Sequence, residues 1–410
     1  IEVVEGPASA LYGANAVNGV INIITKRPDQ LQHGTVRATV GERSLGEGAA
    51  VFGAREGAFS YKLGTGWRTV NRFEDPDLLA SRAVKVHGLA GWDGVEGAAA
   101  SVSGGLAGVK TQLTTGNNGT VVATGPTGFL RADAEASGVR GRVFWNRSRQ
   151  VAKELLVLAE PAFDYDVADA TIGYGLALPF GNLLDVGGGY RLNAAQSGVF
   201  RPGVRRQSLW SVFGEDQCTI RPGVTAVVSG RLDHHPFTGW VASPRGSVIV
   251  EPRHGDAIRL SGGRSFRNPT IMQNYLDFTQ RFPNPGPLPP NPPFTAIESR
   301  LVGNEMLKPE RMTMGEAAYT ASLGAVRATL VGFAYRLEDV IGTSDPETSV
   351  AKAPRTRGAV RGVATTSNAP EAISASGSNA ITRRKARVSL STGTFSRHTR
   401  RPTPPARASS

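Results

Sequence analysis

From His33 onward, apolar and polar residues alternate with a period of two along stretches of about ten residues, and clusters of Gly, Pro, Asn and Asp separate the stretches. That grammar predicts β-strands joined by turns. In residues 58–68, AFSYKLGTGWR, one face carries Phe59, Tyr61, Leu63, Thr65 and Trp67, and the other carries Ser60, Lys62, Gly64, Gly66 and Arg68. Ala170, Ile172, Tyr174, Leu176 and Leu178 stand in the same way against Thr171, Gly173, Gly175 and Ala177. In residues 183–192, Leu184, Val186, Tyr190 and Leu192 oppose Asp185 and Arg191. Several stretches keep the alternation for about nine residues or more, beyond the roughly five to six of an ordinary globular strand and close to the about 9 to 11 that cross a bilayer. The pattern therefore predicts an all-β fold with Phe59, Tyr61 and Leu63 toward lipid and Lys62 and Arg68 toward the interior. Trp67, Trp145, Tyr190 and Trp210, near strand ends, are candidates for an interfacial aromatic girdle.

The first 26 residues, IEVVEGPASALYGANAVNGVINIITK, break this pattern. Gly6-Pro7 is a turn pair, and Gly13 and Gly19 permit positive φ or close backbone approach. Ala8, Ser9, Ala10, Ala14 and Ala16 allow tight packing, and Tyr12 is the one large amphipathic side chain among them. The run Gly19-Val20-Ile21-Asn22-Ile23-Ile24 is β-branched and predicts a buried strand. Dense small residues without lipid-facing alternation predict that residues 1–26 pack inside or beside a curved sheet rather than in its wall.

The stretch GPASALYGANAVNGVINIITK resembles, nearly position for position, the end of the plug domain in TonB-dependent outer-membrane receptors, through Gly6, Pro7, Tyr12, Gly13 and Gly19. One departure stands at Glu5, where the family usually carries arginine. A second resemblance to the barrel of the same receptors runs through Ser243-Pro244-Arg245, Arg259-Leu260-Ser261 and Phe266-Arg267-Asn268-Pro269, and then through Gly303, Asn304, Leu307, Lys308, Pro309 and Glu310. The resemblance covers most of residues 1 to 345. It implies a partial transmembrane antiparallel β-barrel with a remnant of the plug, located in the bacterial outer membrane. It further implies uptake of a scarce ligand of the siderophore, cobalamin, haem or glycan class, driven by a TonB-type energising protein of the inner membrane. The ligand itself is not readable. The signal peptide, the TonB box that contacts that partner and most of the plug fall outside the sequence.

The formal charge of +12 changes little in this picture, because it sits at one end. Residues 351–410 hold 12 Lys or Arg against the single acid Glu371, leaving 34 basic and 33 acidic groups in the first 350 residues. A nucleic-acid groove needs basic residues on one folded face with stacking aromatics, and this tail offers only Phe395, so no nucleic-acid partner is expected. Its Arg, Pro, Ser, Thr and Ala composition predicts disorder and suggests a frameshifted or otherwise non-native terminus. The expected organisation is a plug end at 1–30, a partial barrel at 31–350 that does not close, and a disordered basic tail at 351–410. Residues 281–294, RFPNPGPLPPNPPF, predict a loop and a candidate lid over the barrel entrance.

Enzymatic chemistry finds no footing. Residues 104–111, GGLAGVKT, lack the Walker spacing. Cys218 is the only cysteine, so no disulfide or cysteine zinc cluster forms within the chain. Adjacent His234 and His235 point to opposite faces of a strand, so at most one reaches the lumen, and a solvated turn is the plainer expectation. Asp164 and Asp166 share a face without an accompanying nucleophile or base. The reading is a receptor rather than an enzyme, with no cofactor and no metal. The alternatives are a secreted or surface β-rich adhesin or carbohydrate-binding protein, which no fixed-period repeat supports, and an outer-membrane enzyme, which lacks a catalytic constellation.

Overall fold

The computed structural model describes residues 1–31, 33–42, 44–70, 80–94, 97–114, 120–154, 162–283, 294–323, 326–343, 347–350, 358–369 and 389–390. The chain opens with β1 (Glu2–Glu5), α1 (Ser9–Tyr12) and β2 (Gly19–Asn22), followed by a 3-10 turn at Pro28–Leu31. A long meander follows: β3 (His33–Gly41), β4 (Leu45–Glu56), β5 (Phe59–Val70), β6 (Ser81–Asp93), β7 (Ala99–Thr114), β8 (Thr120–Ala136), β9 (Val139–Glu154), β10 (Ala162–Leu178), β11 (Asn182–Ser197), β12 (Arg205–Arg221), β13 (Val224–His235), β14 (Gly239–Arg253) and β15 (Asp256–Arg267). An excursion then carries α2 (Ile271–Tyr275), β16 (Asp277–Pro283) and β17 (Phe294–Val302) before the meander resumes with β18 (Glu310–Leu323) and β19 (Val326–Glu338). Short strands β20 (Val340–Thr343) and β21 (Glu347–Val350), then β22 (Gly358–Ala369) and β23 (Ser389–Leu390), complete the order.

Strands β3 to β15, β18, β19 and β23 form one 16-stranded sheet, with every pairing antiparallel and, up to β15, between sequence neighbours. Among the described residues this sheet is a path and not a ring, running from β3 at one edge to β23 at the other. Its connections differ at the two ends. Two-residue turns at 57–58, 137–138, 222–223 and 254–255 close one end, while the connections at 198–204 and 236–238 lie at the other, where β15 also leads into α2. Short turns mark the periplasmic rim of bacterial barrels and long loops the outer rim.

Residues facing each other in an antiparallel ladder lie on one face of the sheet, so a few plug contacts fix the face of every strand. The Lys62 Nζ donates to Thr25 Oγ1 and to the Lys26 carbonyl at 3.1 and 3.0 Å, and Ser265 Oγ donates to the Val17 carbonyl at 3.1 Å. These contacts define the inner face. Lys62 is only 8% exposed, whereas Phe59 and Leu63 are 65% and 59% exposed on the outer face. Arg68 shares the inner face with Lys62. The register places Trp67, Trp145, Tyr190 and Trp210 on the outer face, where Tyr190 packs on Trp210 with ring centroids 4.4 Å apart. Cys218 is on the outer face and half-buried.

Three expectations need correction. The run from Gly19 to Ile24 is not a buried strand: β2 pairs only with β1, and Ile21, Ile23 and Ile24 are exposed, because a two-stranded ribbon has no second layer to cover that face among the described residues. Residues 351–410 are not without strands, since β22 pairs in parallel with β17 and antiparallel with β20 and β21, and β23 pairs with β19. The local run Val360, Val363, Thr365 and Thr366 favours extended backbone, a signal that averaging over the basic tail hides. Finally, the first and last residues of the proline-rich stretch belong to β16 and β17, and the lid reading of 284–293 lies outside the described residues.

Candidate functional site

The short α1 and the turns around it dock where the sheet opens. Pairing of β14 with β15 runs up toward the outer rim only as far as Arg245 opposite Gly263. Above that point β15 stays bonded to β18, and its other edge is taken by the N-terminal segment. The Phe266 N–H donates to Ser9 Oγ at 3.2 Å and the Asn15 N–H donates to the Phe266 carbonyl at 3.0 Å, so the exposed edge finds partners. Gly13, at φ +82°, allows this approach: a Cβ there would lie 3.0 Å from Arg231 Nη2. Gly6, at φ +85°, sits in the same way against Met314 Sδ. Pro7 lines a cleft with Val4, Arg245 and Met314, Gly19 pairs with Glu5, and Tyr12 is half-exposed at the end of α1.

One residue beyond Phe266, the two barrel motifs meet. Arg267 Nε and Nη2 donate to the two oxygens of Glu310 at 2.6 and 2.7 Å, a bidentate pair across β15 and β18. The Ile341 N–H adds a third bond to Glu310 at 2.7 Å. Asn268 is buried and its Oδ1 accepts from the Thr238 hydroxyl at 3.3 Å. Buried Pro269 ends the strand, and Thr270 then caps α2 through a reciprocal box with Gln273. Leu307 and Pro309 are buried while Lys308 is exposed. Gly303 passes against α2 so closely that a Cβ would lie 2.7 Å from the backbone of Asn274. The Asn274 side chain donates to the Asn304 carbonyl at 3.0 Å and accepts from Gln207 of β12 at 3.1 Å, which ties the excursion to the wall. Burial, then the Glu305 carboxylate, raises the Tyr275 phenol above its ordinary value.

Between the tip of the N-terminal segment and α2 lies a cavity of about 360 Å³ at the outer-rim end, lined among others by Asn15, Phe163, Phe200, His235, Asn268 and Ile271. Phe163 and Phe200 meet edge to face with centroids 6.1 Å apart. His235 ends β13 and is 1% exposed, not in a solvated turn, while His234 lies on the outer face 5.0 Å from the Trp240 ring. His235 packs against the Phe237 ring, centroids 5.8 Å apart, and lies beside Ala14 and Asn15 of the N-terminal segment and Ile271 of α2, some 220 and 36 positions away in sequence. Below the cavity the inner face carries a ladder of ion pairs: Arg231 with Asp233, Arg191 with Asp169, Arg131 and Arg142 with Asp133, and Arg140 with Asp185. Asp164 and Asp166 lie on the outer face beside Arg149 and Arg147. Among the described residues no group of three or more His, Cys, Asp or Glu is placed to hold a metal ion.

The structure thus joins Arg267 and Asn268 to Glu310 and the plug tip, but leaves Gly6, Pro7 and Gly19 lower on the inner face, away from the cavity. Ser9, Asn15, Gln207, Arg231, Asp233 and His235 were not singled out as site residues by their sequence context. A signal existed for two of them: an Arg and an Asp two apart in an alternating stretch, as in Arg231-x-Asp233 and Arg131-x-Asp133, fall on one face and pair there.

A model of the TonB dependent receptor-like β-barrel family matches residues 92–400. Over 70 residues, 16% of this chain and 11% of the relative, the sequence is 43% identical to the vitamin B12 transporter BtuB of Vibrio cholerae. The fold superposes on the siderophore receptor PirA of Acinetobacter baumannii with a TM-score of 0.66 at 15% identity, covering 90% of this chain and 62% of that one. A variant of the ferric enterobactin receptor PfeA of Pseudomonas aeruginosa gives 0.68 at 16% identity, with 90% and 62% covered. A double mutant of the hemophore receptor HasR of Serratia marcescens, in complex with its hemophore HasA and heme, gives 0.69 at 12% identity, with 89% and 64% covered. The chain spans less than two thirds of the length of these structures.

Proposed function

This chain belongs to the TonB-dependent receptors of the bacterial outer membrane, and from that membership we propose that it serves the uptake of a scarce ligand of the siderophore, cobalamin, haem or glycan class, energised by a TonB-type protein. In this reading residues 1–30 are the end of the plug and the barrel begins at 31, with β22 and β23 beyond residue 350 still paired to its strands. The motif residues Gly6, Pro7, Tyr12, Gly13 and Gly19 shape the plug, and Arg267, Asn268, Pro269, Leu307, Lys308, Pro309 and Glu310 brace the outer rim.

One observation carries the proposal: the cavity at the outer-rim end has the N-terminal segment for its floor, at Ala14 and Asn15, and the inner faces of β10 to β13 for its wall. A ligand seated there touches the element that an inner-membrane partner pulls and the wall that stays behind, so extraction of the floor opens its seat. The outer face suits lipid over stretches such as Phe59, Tyr61 and Leu63, because Arg or Lys at the bilayer midplane costs about 2 to 4 kcal/mol, while the ladder of Arg131, Arg142, Arg191 and Arg231 with their aspartates lies inside. The test is accumulation of labelled ferric siderophores, cobalamin, haem and oligosaccharides by the source bacterium with and without the gene. Loss of one ligand on deletion, restored by the gene only in cells with a working TonB-type protein, supports the proposal. Unchanged accumulation of all four overturns it.

A further inference from the structure

We propose that Arg264 and Arg311, on the outside of the wall beside the place where β15 parts from β14, hold the phosphate of an outer-leaflet lipid whose chains lie on the smooth patch of glycine and alanine beneath them. The inference is independent of the uptake reading and asks nothing of the transported ligand.

The side of the wall that these arginines take is fixed by their neighbours. Ser265 reaches the plug from the inner face and Arg267 meets Glu310 there, so Arg264 and Arg311, one residue away along β15 and β18, point outward. Arg264 opposes Thr313, two residues from Arg311, a diagonal on which long side chains of adjacent strands meet. Arg336 of β19 opposes Thr313 from the other side. Height follows from strand length. At about 3.4 Å per residue and a tilt of about 40°, Arg264 stands about 21 Å above Asp256, Arg336 about 26 Å above Val326 and Arg311 about 31 Å above Leu323. An outward apolar band is about 25 Å tall, so the three guanidinium groups reach its upper edge, where the cost of a lipid-facing charge falls away and long side chains extend into the headgroups.

Charge selects the headgroup. Near the short turns acids stand among the arginines, Glu56 and Asp216 on the outer face and Asp256 opposite Arg253. Toward the outer rim arginine predominates on that face, with Arg147, Arg149, Arg206, Arg264, Arg311 and Arg336 against Asp164, Asp166 and Glu338. The three acids pair with Arg149, Arg147 and Arg336 in turn. Among the described residues Arg206, Arg264 and Arg311 have no carboxylate within 4.0 Å, and of these Arg264 and Arg311 lie on neighbouring strands. Two unneutralised guanidinium groups within reach of each other at headgroup level match a phosphate, which each can bind through two parallel N–H donors. Under them the wall is flat. The next rows of the outer face are Gly262, Gly315 and Ala334, then Leu260, Ala317 and Gly332, and a Cβ added at Gly315 or Gly332 would meet no atom within 4 Å. Straight hydrocarbon chains touch such a surface along their length, and Leu260 and Leu330, both about half exposed, border it.

The test uses the full chain in detergent micelles and dilauroyl phosphatidate with a fluorescent tail, bound lipid being read by anisotropy. Dilauroylglycerol with the same tail lacks the phosphate, and millimolar inorganic phosphate as competitor separates a lipid site from a site for the free anion. The variants are Arg264→Gln with Arg311→Gln and, as a control of equal charge loss, Arg37→Gln with Arg68→Gln on the inner face. Each is first matched to the parent in tryptophan emission and melting. The parent should bind the phosphatidate at least about tenfold more tightly than the phosphate-free lipid, the outer-face pair should lose that margin as its charged hydrogen bonds go, and the inner-face pair should keep it. Inorganic phosphate should leave the lipid bound. If the outer-face double variant does not fold, Arg311→Gln alone carries the same comparison, with a loss of at least about threefold required. Equal affinity of the parent for both lipids, equal affinity in the outer-face variant and the parent, the same loss in the inner-face control, or displacement of the lipid by inorganic phosphate would each overturn the inference.

Discussion

Replacing Glu310 by glutamine keeps the shape of the side chain and removes its charge, which makes the rim ion pair a sharp test of what joins the two barrel motifs. Glu310 accepts three hydrogen bonds, from Arg267 Nε, Arg267 Nη2 and the Ile341 N–H. Oε1 takes two of them, so the glutamine carbonyl is held at that position and its amide group is forced against Arg267 Nε–H, donor against donor. One charge-assisted bond is lost and another weakened. A bond to a charged group contributes about 1.5 to 3 kcal/mol, and breaking a fully buried pair costs about 3 to 5. The side chains of Arg267 and Glu310 are 28% and 12% exposed, so solvent screens part of the effect and about 2 kcal/mol is expected for Glu310→Gln. Unfolding by denaturant in micelles, followed by tryptophan emission, measures the change. A double-mutant cycle with Arg267→Met and Glu310→Met separates the pair from the packing: each single change strands one charge, whereas the double change strands none, so the coupling should reach about 1.5 kcal/mol. A coupling below about 0.5 kcal/mol would refute the claim that this pair binds β15 to β18 at the rim.

Other perturbations follow from the same geometry. Lys62→Met removes the two bonds that hold residues 25 and 26 to the wall, and trypsin cleavage after Lys26 should quicken by about tenfold or more; an unchanged rate would mean that the ammonium does not anchor the linker. Leu63→Arg puts a charge on the lipid face and should lower stability in bilayers by up to about 4 kcal/mol, with little effect in lipid-free denaturant, as measured by folding into vesicles. Gly303→Ala drives a methyl into the Asn274 backbone and should cost about 1 to 3 kcal/mol in melting experiments, whereas Gly246→Ala, whose Cβ would meet only one carbonyl at 4.0 Å, should cost about 1 kcal/mol at most.

The sequence exposed most clearly what each strand owes to its surroundings. Phe59, Tyr61 and Leu63 announce the lipid face because a charge at the bilayer midplane is costly, and the penalty acts on every strand independently of its neighbours. The same local logic misread Val20 to Ile24, since a β-branched run states a backbone preference and cannot say whether another layer will cover it. The site was hidden for a different reason. Its cavity exists because β15 parts from β14 above Gly263 and the segment around Ser9 and Asn15 occupies the free edge, an encounter between residues some 250 positions apart that no periodicity encodes. His235 shows the consequence, because its neighbours at Asn15, Phe200 and Ile271 come from distant segments and not from the histidine pair in which it occurs. The two barrel motifs stand between these cases. Arg267 and Glu310, 43 residues apart, were visible only as separate resemblances, yet the register of β15 against β18 makes them one bidentate bond, and that bond holds the strand end from which Asn268 reaches the cavity. A motif recognised by its letters is thus physically half of a contact, and the other half becomes legible once the antiparallel register is known.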